Sequence, residues 1–177
     1  MSATPLASLP SSERSATVAP KAAGQPYLNL RLDDRTSALI AMESAQEALV
    51  VNAQQITPMP NMPASVLGLL NRRSRVMWVV DLLQLLQLQP VATAGQQYEV
   101  VVLRMGSAEG AERALMGAVV RGVRGVVRIE SEDIQSPIGH FPASLTPYLQ
   151  GCVLYQQELL LVLDAEAIAR SPLLRSS

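Results

Sequence analysis

The chain has 177 residues, a formal net charge of -1, 16% charged residues and 49% hydrophobic residues, of which aromatics make up only 3% of the chain. That length suits one domain burying roughly 70% of the surface its unfolded form exposes, around a core of Val, Leu, Ile, Ala and Met instead of rings. The near-neutral charge without an extended basic run excludes general nucleic-acid binding, and runs such as Val76–Val80 and Leu159–Leu163 are far short of the roughly 20 apolar residues that direct membrane insertion requires.

The N-terminus lacks the basic start and continuous apolar segment of a secretory signal, and the single Cys152 has no partner for an internal disulfide. A reducing cytoplasm is the expected compartment. Residues 1–26 are Ser, Ala, Thr and Pro with scattered charge and no periodicity, a composition that does not repay the entropy of ordering. They are expected to form a flexible tail, with a domain over 27–170 and a short C-terminal tail over 171–177.

From Tyr27, Leu28, Leu30 and Leu32 alternate with Asn29, Arg31 and Asp33, the period-two pattern of a half-buried strand, and Asp33-Asp34-Arg35 supplies a turn into a partner strand at Ala38–Met42. Glu43–Val51 suits either a bulged strand or a short helix. Three prolines within Thr57–Pro63 remove backbone donors and fix φ, so regular structure stops there. Val66–Leu70 and Arg75–Val80 then read as two strands around the polar corner Asn71-Arg72-Arg73-Ser74. Leu82, Leu83, Leu85, Leu86 and Leu88 have helical spacing behind Asp81, a good N-cap, with Pro90 as the stop. Strands are expected at Tyr98–Met105 and Ala114–Val120, joined across Gly106–Arg113, then at Val123–Ile129. Beyond the Pro137–Pro147 loop, Gly151–Tyr155 pairs through Gln156-Gln157-Glu158 with Leu159–Leu163, and Asp164 caps a last helix reaching about Arg170. Many short strands with helices only as plugs point to a mainly β fold of small antiparallel barrels.

Chemistry is scarce. With one histidine, His140, and one cysteine, a His/Cys metal cluster cannot be assembled and a serine triad with a histidine base is disfavoured. Glu130, Glu132 and Asp133 read as solvated surface charge, Cys152 as a small buried hydrophobe, and no glycine-rich phosphate loop is present. No catalytic, cofactor-binding or metal-ligating residue is nominated, and no cofactor is expected. An esterase- or phosphatase-like enzyme built on the carboxylates is disfavoured because no nucleophile, base and oxyanion donor converge. The concentrated feature is Arg72, Arg73 and Arg75 around one tight corner, a recognition surface or a solvated turn. Met59, Met62, Met77 and Trp78 nearby suit either a contact surface or core filling.

Taken together, the stretch from Pro60-Asn61-Met62-Pro63 through Val66-Leu67-Gly68-Leu69-Leu70, Asn71-Arg72-Arg73-Ser74 and Arg75–Val80 to Asp81-Leu82 resembles the signature of CheW-like domains. Gln46-Glu47, Leu115–Val120, Tyr148-Leu149-Gln150-Gly151 and Leu161-Val162-Leu163-Asp164 follow in that family's order, so the resemblance covers about residues 26–170. It implies two small five-stranded antiparallel β-barrels packed together, with short helices after Asp81 and Asp164. It also implies a non-enzymatic adaptor joining a chemoreceptor-type signalling domain to the regulatory domain of a CheA-type histidine kinase, in the cytoplasm at membrane-attached or polar receptor arrays. By motif position Arg73 matches the arginine of Asn-x-Arg-Gly, and Ala45 and Glu47 fall in the region facing the receptor. With Asn71, Arg72 and Arg75 these are the candidate partner-binding residues. Ser74, Trp78 and Arg121 stand where the family usually has Gly, Pro and Asp, and Asn71–Val76 resembles pilus-motility and phototaxis variants. The alternative reading is a β-barrel sensory module binding a small molecule or regulator, which needs a polar-lined cavity that the dense aliphatic pattern disfavours.

Overall fold

The computed structural model describes residues 24–88, 95–106, 114–136 and 141–174. The alternating segments form β1 (Gln25–Arg31), β2 (Ser37–Ala41), β3 (Ala45–Asn52), β4 (Ile56–Thr57), β5 (Val66–Arg72), β6 (Arg75–Asp81), β7 (Gln97–Met105), β8 (Ala114–Val120), β9 (Gly122–Ile129), β10 (Leu149–Tyr155) and β11 (Glu158–Leu163). Two short helices, α1 (Leu82–Leu85) and α2 (Ala165–Ala169), follow Asp81 and Asp164. Asp81 accepts from the Gln84 amide, and Asp164 from the amides of Glu166 and Ala167, so both aspartates cap as their position predicts. The run expected to be helical through Leu88 leaves the helix after Leu85, and Gln87 takes a positive φ of 55°. Pro90, the expected stop, lies outside the described residues.

The strands form two sheets, a five-stranded one ordered β10-β11-β2-β1-β9 and a six-stranded one ordered β3-β7-β8-β6-β5-β4. The mainly β architecture matches the expectation with two differences. Each sheet contains one parallel pair, β11 with β2 and β6 with β8, because strands distant in sequence are inserted beside earlier ones. Among the described residues neither sheet closes into a continuous hydrogen-bonded barrel. In the five-stranded sheet an isolated antiparallel bridge between Gln135 and Cys152 brings the chain beyond β9 back to the free edge of β10. The segment Glu43–Val51, ambiguous by local pattern, leaves a turn at Ser44 and is a strand from Ala45, with a register shift between Ala45 and Glu47: pairing with β7 overrides the helix-compatible alanines.

Three apolar clusters hold this together. One lies inside the five-stranded sheet around Tyr27, Leu39 and Val162, and one inside the six-stranded sheet around Val51, Met77 and Val102. The largest joins Leu30, Ile40 and Leu161 of one sheet to Val101, Leu103 and Met116 of the other, with Leu82, Leu85 and Ile168 of the helices filling the space between. Each such buried aliphatic side chain contributes about 1.5–3 kcal/mol relative to exposure. At the junction, the Arg121 amide donates to the Arg31 carbonyl at 2.9 Å and Arg31 Nη2 donates back to the Arg121 carbonyl at 3.2 Å, where the chain passes between sheets.

The boundaries expected for the tails shift. Gln25 and Pro26 already belong to β1, and residues 1–23 lie outside the described residues. At the other end Ser171 is buried, its hydroxyl 2.7 Å from that of Tyr148, and Pro172–Leu174 form a 3₁₀ turn. The folded body therefore extends through Leu174, because a hydroxyl pair in the core fixes what reads locally as a tail.

Candidate functional site

β5 and β6 are joined by a two-residue turn in which Arg73 and Ser74 have φ of 50° and 63°. Two successive left-handed residues match the strands' right-handed twist, which is why such turns normally select Gly or Asn. Here Ser74 adopts the conformation without glycine's freedom. The turn projects Arg73 from the end of the sheet with its side chain 74% exposed.

Glu47 occupies an inward position of β3, on the same face as Leu49 and Val51, and Arg72 occupies an inward position of β5, two residues beyond Leu70. Between β3 and β5 lie β7, β8 and β6, so in a flat sheet the two strands would be separated by about 19 Å. Their side chains nevertheless meet: Arg72 Nε donates to Glu47 Oε1 at 3.2 Å and Nη2 donates to Oε2 at 3.1 Å. The sheet is thus curled until its two sides approach, and this bidentate pair spans the gap. Arg73 Nη2 stands 3.8 Å from the same Oε2. The Arg72 hydrogen bonds hold the Glu47 carboxyl below its ordinary 4.5, against partial burial that pushes the other way, and the guanidinium of Arg72 is stabilised in return.

Of the six residues singled out by sequence, Glu47, Arg72 and Arg73 are brought into one ion-paired group. Ala45 begins β3 and packs against the central cluster, Asn71 is exposed on the outer face opposite Val76, and Arg75 lies across the ladder from Arg72. All three lie beside that group. Met77 is buried and Trp78 exposed, as alternation along β6 requires, while Met59 is exposed in the loop before β5. Trp78, 39% exposed, lines an apolar cleft of about 430 Å³ with Met62, Val66, Met105, Met116 and Leu174.

A second polar cluster has no signal in the sequence. Arg124 of β9 donates to both carboxylate oxygens of Glu158 of β11, at 3.0 and 2.9 Å, and the buried Ser37 hydroxyl donates to the same carboxylate. Ser37 first, then Arg124, hold Glu158 below the ordinary carboxylate range against some desolvation. β9 and β11 pair with β1 and β2 and never with each other, so only the curl of the sheet juxtaposes these residues.

Glu132 and Asp133 are exposed on a 3₁₀ turn, and Cys152 is buried in β10. His140 lies outside the described residues. Among the described residues no group of three or more His, Cys, Asp or Glu side chains is placed to hold a metal ion, and no helix is long and apolar enough to cross a membrane. The arrangement offers a charged corner and an apolar cleft.

Comparison with known proteins places this architecture. The chain is 26% identical over 125 residues to the chemotaxis protein CheW of Treponema pallidum (strain Nichols), an alignment covering 69% of this chain and 70% of that protein. Its fold superimposes on the crystal structure of the scaffolding protein TtCheW from Thermoanaerobacter tengcongensis with a TM-score of 0.70 at 14% identity, covering 88% of this chain and 98% of the other. The model of the CheW-like domain matches residues 26–173, and the chain belongs to that family.

Proposed function

We propose that this chain is a non-enzymatic scaffold of chemotaxis-type signal transduction that couples a chemoreceptor-type signalling domain to the regulatory domain of a CheA-type histidine kinase. The observation that carries this reading is the β5–β6 corner, which presents Arg73 to solvent beside the Glu47–Arg72 pair on a rigid two-residue turn. An adaptor of this kind needs complementary surfaces and no reactive group, and a planar guanidinium at a fixed corner suits recognition of a partner side chain. The receptor-facing contact is Arg73, held in place by the Glu47–Arg72 pair, with Ala45, Asn71 and Arg75 around it. Ser74 and Trp78 at positions where the family usually has Gly and Pro favour a dedicated receptor–kinase pair, in a pilus-motility or phototaxis array more than a flagellar one. The protein works in the cytoplasm at membrane-attached arrays.

The test is kinase autophosphorylation with the purified chain, the CheA-type kinase of the same organism and its receptor fragment, comparing wild type with Arg73→Glu. Receptor-dependent phosphorylation that needs the wild-type chain and drops with Arg73→Glu at unchanged Tm supports the reading. Full coupling by the variant removes Arg73 from the surface. No association of the wild type with any such kinase overturns the adaptor reading and directs attention to a sensory module using the cleft beside Trp78.

A further inference from the structure

At the corner the Glu47 carboxylate faces two guanidiniums, those of Arg72 and Arg73, and the geometry divides it unequally between them. Arg72 takes both oxygens of Glu47 in a two-point pair, with its own side chain 34% and that of Glu47 21% exposed. Arg73 reaches only Oε2, at 3.8 Å, beyond hydrogen-bond range, from a side chain that is mostly in water. A bidentate, partly buried pair outcompetes a single, longer, solvent-screened contact. Glu47 is therefore satisfied by Arg72, and Arg73 keeps its donors for another acceptor.

Building on the adaptor reading, we infer that Arg72 is a specificity-determining positioning residue: by sequestering Glu47 it removes the intramolecular competitor of Arg73, which is thereby presented to a carboxylate side chain of the partner. Without Arg72, Glu47 is the nearest acceptor to Arg73 and folds the exposed guanidinium back onto β3. The turn makes this recapture geometrically easy, because Arg73 sits one residue beyond Arg72 and its Nη2 already points at Oε2. The partner chemistry follows from charge: in the group of Glu47, Arg72 and Arg73 one carboxylate faces two guanidiniums, and the positive excess on Arg73 attracts an acidic side chain and repels a basic one.

The inference separates from a merely structural role through rescue. Binding of a purified chemoreceptor cytoplasmic fragment is measured by titration calorimetry at low and high salt for wild type, Arg72→Met, Glu47→Gln and the double variant Glu47→Gln/Arg72→Met. Arg72→Met is expected to weaken binding about fivefold, the scale of one exposed ion pair, and to reduce its salt dependence. The double variant, which lacks the same strand-bridging pair but also lacks the competitor, is expected to bind within about twofold of wild type. A double variant as weak as Arg72→Met overturns the inference while leaving the adaptor reading intact, because Arg72 then acts through the fold or touches the partner itself. No binding by the wild type overturns both.

Discussion

The two sheets solve the same closure problem in different ways. The five-stranded sheet rejoins itself through backbone, the Gln135–Cys152 bridge with hydrogen bonds of 2.8 and 2.9 Å, and carries the Arg124–Glu158 pair, each partner 42% exposed, as a supplement. In the six-stranded sheet no ladder among the described residues joins β3 to β4: the chain crosses at one end through Ala53–Gln55, and at the other the less exposed Glu47–Arg72 pair spans the gap. A seam held by backbone is indifferent to side-chain identity. A seam held by side chains ties the shape of the sheet's end to the charges that a partner meets there.

Glycines set how tightly each sheet packs, and substituting them breaks the comparison most directly. Gly68 has φ +144°, and a Cβ there would stand 2.2 Å from the Thr57 carbonyl oxygen in the paired strand β4. Gly68→Ala is expected to cost about 3 kcal/mol, or about 10 °C in Tm, because strain and a backbone collision coincide. At Gly151 a Cβ would come within 2.5 Å of the Gln135 carbonyl oxygen, but Gln135 meets β10 through an isolated bridge, not a full ladder, and can withdraw. Gly151→Ala is expected to cost about 1–2 kcal/mol and to expose the Gln135 and Cys152 amides to hydrogen exchange. Equal losses in thermal melts would show that the β4–β5 ladder and the Gln135–Cys152 bridge are equally stiff.

Smaller effects sharpen the difference. Ser74→Gly relieves a left-handed position and is expected to stabilise by about 1 kcal/mol without moving the Glu47–Arg72 pair, read by denaturant titration. At the weak end lies acid sensitivity. Glu47 and Glu158 both titrate below the ordinary 4.5 in the folded chain, so each contributes stability present above that value and lost as pH falls through the lowered one. Glu47→Gln and Glu158→Gln are each expected to flatten the acid limb of Tm against pH. The flattening should be larger for Glu47, whose pair is less exposed to solvent.

Much of this was legible locally. Alternation marked the strands, Asp81 and Asp164 marked the helix starts, and three prolines marked the break before β5, because each is a property of neighbouring residues. The order of motifs from Pro60-Asn61 to Leu163-Asp164 pointed to the CheW-like family, and the chain belongs to it over residues 26–173. The Arg72–Arg73 corner could be nominated because its charges are adjacent in sequence.

What stayed hidden depends on contacts between strands far apart in the chain. Glu47 is 25 residues from Arg72, and Arg124 is 34 from Glu158, with sheet curl alone deciding that they meet. The same holds for the parallel pairs, for β3 as a strand and for the packed residues after Ala169, which local propensity leaves open. Periodicity and motif order in the sequence were enough for most of the strands, for the turns between them and for the family they assemble into. Only the tertiary structure decided which arginine binds Glu47 and which faces solvent, because that choice belongs to the curvature of a whole sheet and not to any segment of it.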